Sequence, residues 1–159
     1  MSVAWHRRRR KRNRFNAAFF AKAIGTDVVA LIGKTTAGGD FDLAMTPTGL
    51  TEIAAYADGI GPHFGFVLNE DGSPTALVEQ AHGVGLKVHP WTLRIENSFL
   101  PLRFRRPGGD GDEGCYNKLY DALKNANVDG VFTDNIAEVV ALADQTWTGW
   151  CANDKQGSS

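Results

Sequence analysis

An α/β domain of about four successive strand–helix units is the fold class that this sequence predicts. Two observations lead there. Short runs of β-branched and aliphatic residues alternate with segments of helical periodicity, the pattern of parallel βα units. The runs also exit into glycine, polar or aromatic residues, at the strand ends where α/β folds build their sites. The length of 159 residues fits one domain, and a hydrophobic content of 43% is enough for a core. Four such units suit either a small open sheet or part of a (β/α)₈ barrel.

Taken in order, residues 14–25 (RFNAAFFAKAIG) have helix-like apolar spacing and stop at Gly25. Residues 27–33 (DVVALIG) are nearly continuous in aliphatic side chains, as a strand buried on both faces must be. A loop-like segment follows. Thr46 or Thr48 is placed to cap the next helix, with Pro47 tolerated in its first turn. Asp58 to Phe64 read as a weak strand, rich in glycine. Residues 73–85 (SPTALVEQAHGVG) read as a helix with Ser73 as N-cap and Pro74 at the first helical position. Residues 86–94 (LKVHPWTLR) form the third strand, although Pro90 sits within it. A polar, Gly-rich loop then runs to residue 114, longer than compact domains normally carry without a functional reason. Residues 115–128 return to helical spacing through Tyr116, Leu119, Tyr120 and Leu123. Residues 129–135 (DGVFTDN) predict a fourth short strand, and residues 136–145 a last helix.

Charge is distributed unevenly. Residues 1–14 hold seven Arg or Lys and no acid, whereas the rest carries a net charge of −8. The segment 1–14 is expected to be a basic, disordered arm. No aromatic residues interleave its Arg run and no nucleic-acid-binding fold accompanies it, so a nucleic-acid partner is not the favoured expectation. A secretory-signal reading is opposed by the short apolar segment that follows, by Lys22 within it and by the lack of a small-residue cleavage site. No apolar run approaches the ~20 residues of a membrane span. Cys115 and Cys151 have no metal-ligand spacing. One disulfide and two free thiols both remain open, and with them the compartment.

Four strand exits offer chemistry on one rim: Gly33-Lys34-Thr35, Gly61-Pro62-His63, His89-Pro90-Trp91-Thr92 and Thr133-Asp134. Each has a plain explanation alone. A lone histidine is usually a hydrogen-bonded structural residue, a tryptophan is usually core, and an Asp after a strand usually caps a helix. Four in succession favour a rim-facing site. Gly33-Lys34-Thr35-Thr36 is not a phosphate loop, because the preceding glycine, Gly25, lies eight residues before Gly33 where the motif needs five.

Residues 56–64 (YADGIGPHF), 85–94 (GLKVHPWTLR) and 119–135 (LYDALKNANVDGVFTDN) together resemble the last part of glycerophosphodiester phosphodiesterases, in the form of the longer, exported bacterial type. The resemblance covers residues 25–145. It implies an incomplete TIM-type (β/α)₈ barrel whose strands here are the fifth to the eighth. Residues 15–146 would then be the C-terminal half of the barrel and 147–159 a flexible tail. It implies hydrolysis of glycerophosphodiesters to an alcohol and glycerol 3-phosphate, assisted by a divalent ion, Ca²⁺ or Mg²⁺. The resembled type is periplasmic or extracellular.

On that basis Gly61, Pro62, His89, Trp91 and Asp134 are the substrate-side candidates. Trp91 is expected to wall the glycerol or alcohol moiety, and His89 and Asp134 to orient it. No catalytic or metal-ligating residue is assigned. The family's His-Arg-Gly, Glu-x-Asp, His-Asp and Glu-x-Lys motifs are absent from this sequence, and a complete barrel typically needs ~250 residues. The chain is therefore expected to be inactive by itself. It should either associate with itself or pair with a separate N-terminal half, since its outer strands would be open edges. The alternative is a non-catalytic module that binds glycerol phosphates.

Overall fold

The computed structural model describes residues 25–33, 44–146 and 151. The basic arm, the first expected helix, the loop after the first strand and the end of the tail lie outside the described residues.

Three parallel strands form the sheet, in the order β1 (Val29–Ile32), β2 (Gly59–Pro62), β3 (Lys87–Val88). Val29 pairs with Gly59 and Ile32 with Pro62, while Gly59 and Ile60 pair with Lys87 and Val88. Alternate residues of a strand face opposite sides. One face therefore carries Ile32, Ile60, Pro62, Val88 and Pro90, all buried. The other carries Leu31, Gly61 and His89.

Helices cover the first face. Helix α1 (Pro47–Ala54) begins as the sequence indicates: Thr46 is its N-cap, and the hydroxyl accepts the Gly49 N–H at 3.2 Å. Its Leu50 and Ile53 enter the core. A single turn, α2 (Phe64–Val67), follows β2 directly. Helix α3 (Leu77–Gly83) starts three residues later than the expected first position, Pro74. Ser73 is diverted into a turn: its N–H and its hydroxyl both donate to Asp71, at 2.8 and 2.6 Å. Pro74 bridges back to Leu68, and it is the Thr75 hydroxyl that accepts the Leu77 N–H. Helix α4 (Tyr116–Asn125) buries Tyr116, Leu119 and Leu123, and α5 (Ile136–Ala143) buries Val139.

The fourth expected strand is not regular. Residues 129–133 run parallel beside β3 and its extension, with Asp129 N–H bonded to Val88 O, Phe132 N–H to Pro90 O and Leu93 N–H to Phe132 O. They are joined by one bridge, between Leu93 and Thr133. Pro90 is the physical reason. It has no N–H to return to this neighbour, so the ladder is interrupted where a regular strand needs a donor.

The long segment after β3 is ordered rather than merely polar. Two 3₁₀ turns, Asn97–Phe99 and Leu102–Phe104, place Leu100 and Phe104 in the core. Asn97 is buried and ties the segment to itself. Its Nδ2 donates to the carbonyls of Arg106 (3.1 Å) and Gly109 (3.2 Å), and its Oδ1 accepts the Arg106 N–H (2.9 Å). A disulfide joins Cys115 to Cys151, which resolves the alternative that the sequence left open.

Candidate functional site

The uncovered face of the sheet and the C-terminal ends of its strands bring most of the candidates together. Gly61 lies beside His89, in register with the Ile60–Val88 pair. A Cβ on Gly61 would sit 2.6 Å from Leu31 Cδ2 and 3.2 Å from Phe132 Cε2, so glycine lets those two side chains lie over the strand where a larger residue would make Leu31 shift. Leu31 and Phe132 therefore occupy the space above Gly61, while remaining 66% and 42% exposed on their outer sides.

Trp91 follows on the same face and is half-buried. Its indole Nε1 donates to Gly61 O at 2.8 Å, and it meets the His63 ring edge-on at 5.2 Å. The backbone of residue 63 is bridged to that of 91. The indole is thus fixed across two strand exits, with a defined orientation. His89 packs on Gly130, where a Cβ would come within 2.8 Å of the imidazole Cδ2. Its Nδ1 is buried and has no hydrogen-bond partner among the described residues.

Pro62 and Asp134 are placed apart from this group. Pro62 points to the helix-covered side and is fully buried beside Pro90. Asp134 is at the rim, its side chain 61% exposed, and pairs with Arg94 at 3.4 Å. Arg94 also pairs with Glu96 at 3.1 Å and lies 3.9 Å over the Phe99 ring. Glu96 is held below its ordinary value. Its own backbone N–H stabilises the charged form most; burial opposes ionisation, and the Arg94 guanidinium adds to the lowering. The sequence reading passed over Arg94 and Glu96. Their alternation after the third strand, Arg94-Ile95-Glu96, was the available signal, since residues two apart share a side in extended backbone.

At the opposite, N-terminal ends of the strands a second pattern was also missed. Asp58 accepts the Val28 N–H on its carboxylate at 2.8 Å and returns its own N–H to Val28 O at 2.9 Å. Asp129 does the same with Val88, at 2.7 and 2.9 Å. Each is followed by glycine, and the repeated Asp-Gly was the signal. Asp129 also meets His82 Nε2 at 2.9 Å. Burial raises the Asp129 pKa, but the Val88 N–H and the His82 hydrogen bond and charge outweigh it, so the net shift is downward. These contacts lie away from the rim and join neighbouring strands.

Among the described residues, no group of three His, Cys, Asp or Glu side chains is gathered closely enough to hold a metal ion. The two carboxylates of the rim cluster, Glu96 and Asp134, are already engaged with Arg94. The described residues therefore do not fit a divalent ion. Among the described residues, no helix is long and apolar enough to cross a membrane.

These features define the class of protein: a parallel α/β unit whose polar and aromatic side chains collect at the strand exits. Residues 21–138 match the model of the glycerophosphoryl diester phosphodiesterase family, and the chain belongs to that family. The family has the TIM-barrel fold and generally uses a divalent metal. The chain is 32% identical over 102 residues to a glycerophosphodiester phosphodiesterase of Haemophilus influenzae, a match covering 60% of this chain and 25% of the relative. It is 38% identical over 89 residues to a glycerophosphodiester phosphodiesterase of Arabidopsis thaliana, covering 54% of this chain and 22% of that protein. The matches therefore span about a quarter of the length of these relatives.

Proposed function

We infer that this chain supplies the C-terminal half of a glycerophosphodiester phosphodiesterase barrel, in which β1, β2, β3 and residues 129–135 take the places of the fifth to eighth strands. Residues 15–146 constitute that half. The observation that carries this reading is the asymmetry of the sheet: one face is packed by helices, while the other presents Gly61, His89 and Trp91 beside exposed Leu31 and Phe132. In a closed barrel the second face is the interior.

On this reading the exposed edges of Trp91 and His89 meet the glycerol phosphate part of the substrate, and Gly61 leaves room for the side chains that close above it. Pro62 shapes the strand behind them, and Asp134 orients Arg94 at the rim. The chain binds without hydrolysing. The proton-transfer and metal-ligand motifs of the family are not in this sequence, and hydrolysis requires an N-terminal half, with its divalent ion, to close the ring.

Purified chain incubated with glycerophosphocholine and Ca²⁺ or Mg²⁺ is expected to show little or no turnover. Calorimetric titration with glycerol 3-phosphate is expected to show binding that the Trp91→Ala variant weakens. Efficient turnover by the chain alone would overturn the half-barrel reading. Absence of glycerol 3-phosphate binding would remove the substrate-side assignment of Trp91 and His89. Light scattering at micromolar concentration should show self-association, and a clean monomer counts against open edges seeking a partner.

A further inference from the structure

A cleft of about 330 Å³ lies between the exit of β2 and the ordered segment after β3. Phe64, Leu68, Leu100 and Phe104 give it apolar walls, and Arg103 and Arg105 line it from the segment after β3. Both guanidinium groups are held by main-chain carbonyls. Arg103 Nη1 donates to Glu70 O at 3.3 Å; Arg105 donates from Nε to Leu100 O at 2.8 Å and from Nη2 to Ser98 O at 3.3 Å. Such contacts fix a guanidinium without neutralising its charge.

Arg94, on the same segment, shows the contrast, because Glu96 and Asp134 neutralise it. Among the described residues neither Arg103 nor Arg105 forms an ion pair. Two cations without an ion pair among the described residues, Arg103 only partly offset by Asp71, stand out on a body whose net charge beyond residue 14 is −8. The carboxylate on the cleft is that of exposed Glu70. Neighbouring Asp71, which feels the charge of Arg103, is satisfied by Ser73.

We propose that this cleft is a second binding site, for a small organic phosphate bearing an apolar substituent. The guanidinium fork matches phosphate oxygens in a bidentate geometry, and carbonyl anchoring keeps the fork preorganised. The Phe and Leu walls take the apolar part. The volume is in the range of small-molecule sites, and the position between two strand-exit loops is where parallel α/β folds bind ligands. The cleft borders the open sheet face at His63, which lines it and meets Trp91 edge-on; both its arginines lie on the segment after β3, so the proposal does not depend on the role given to Trp91.

The test is calorimetric titration of the full chain with phenyl phosphate at low salt. Saturable binding is expected. It should weaken by about tenfold or more when Arg103→Gln and Arg105→Gln are combined, and fall with added salt. Ser98→Trp, which fills the cleft and removes no cation, should abolish binding, with an unchanged thermal melt to show that the fold persists. Trp91→Ala should leave it intact. The proposal is overturned by lack of saturation at millimolar phenyl phosphate, by undiminished binding in Ser98→Trp, or by loss of binding in Trp91→Ala, which would move the ligand to the sheet face. Inorganic phosphate binding as tightly as phenyl phosphate would overturn the assignment of the apolar walls.

Discussion

The two faces of the sheet are made of the same three strands yet differ in completeness. On one, Ile60, Pro62, Val88 and Pro90 are sealed beneath helices. On the other, Leu31 and Phe132 close over Gly61 and remain open to water beyond it. Parallel sheets are normally covered on both faces. The difference teaches that the described residues seal the helical side and leave the side bearing Trp91 and His89 open. Perturbing each face in turn can break or sharpen that contrast.

The largest effect is expected from the covalent tie in the helical layer. Replacing Cys115 and Cys151 together by Ser should lower unfolding stability by about 4 kcal/mol, as chain entropy predicts for a loop with a sequence separation of 36. Denaturant midpoints under oxidising conditions measure this, and reductant should reproduce it in the unaltered protein. Ile60→Ala, at a position with no exposure, should cost about 3–4 kcal/mol through lost burial and a residual cavity. A loss under 1 kcal/mol would mean that the helical face is not the tightly packed one.

At the seam between β3 and residues 129–133, Asp129→Asn should cost about 1 kcal/mol, since its partly exposed charge still serves Val88 and His82. The sign of the pH effect follows from the lowered folded pKa. The Asp129 contribution is present above the ordinary carboxylate value of 3.8 and is lost as pH falls through the lower folded value. Midpoints measured from neutral pH to pH 2 should therefore decline less steeply in Asp129→Asn. The smallest effect is expected on the open face. Leu31→Ser should change the stability of the isolated chain by no more than about 0.5 kcal/mol, while reducing self-association seen by light scattering.

The sequence made much of this architecture legible. Strand β1 is visible because its aliphatic run has no other structured use, and α1 because Thr46 and Pro47 stand where a capped start needs them. The alternation of strands and helices carried the parallel arrangement. Other features depended on pairings that a linear reading does not contain. Ser73 is a good cap in isolation, but Asp71, two residues before it, captures both its donors. The strand expected at 129–135 had suitable residues, yet its regularity depended on a donor that Pro90 lacks. That Gly61, His89 and Trp91 lie together on one face was legible from their strand-exit positions. Pro62 faces the other way because strand residues alternate, and Arg94 joins Glu96 and Asp134 across a distance of forty residues in the chain for the latter. The long segment 94–114 read as a polar, Gly-rich loop with a functional reason for its length; its internal order was not legible, since one buried asparagine does not announce how many carbonyls it will collect.

The cross-link between Cys115 and Cys151 encloses helix α4, the strand-like residues 129–133 and α5 in one covalent ring. A protease that cuts once inside that ring does not release a fragment. The severed ends stay attached through sulfur, and the last strand–helix unit can remain docked on β3 after the cut. Nicked protein would migrate as two pieces only after reduction, so a broken peptide bond and a lost structural unit become separate events in this part of the molecule.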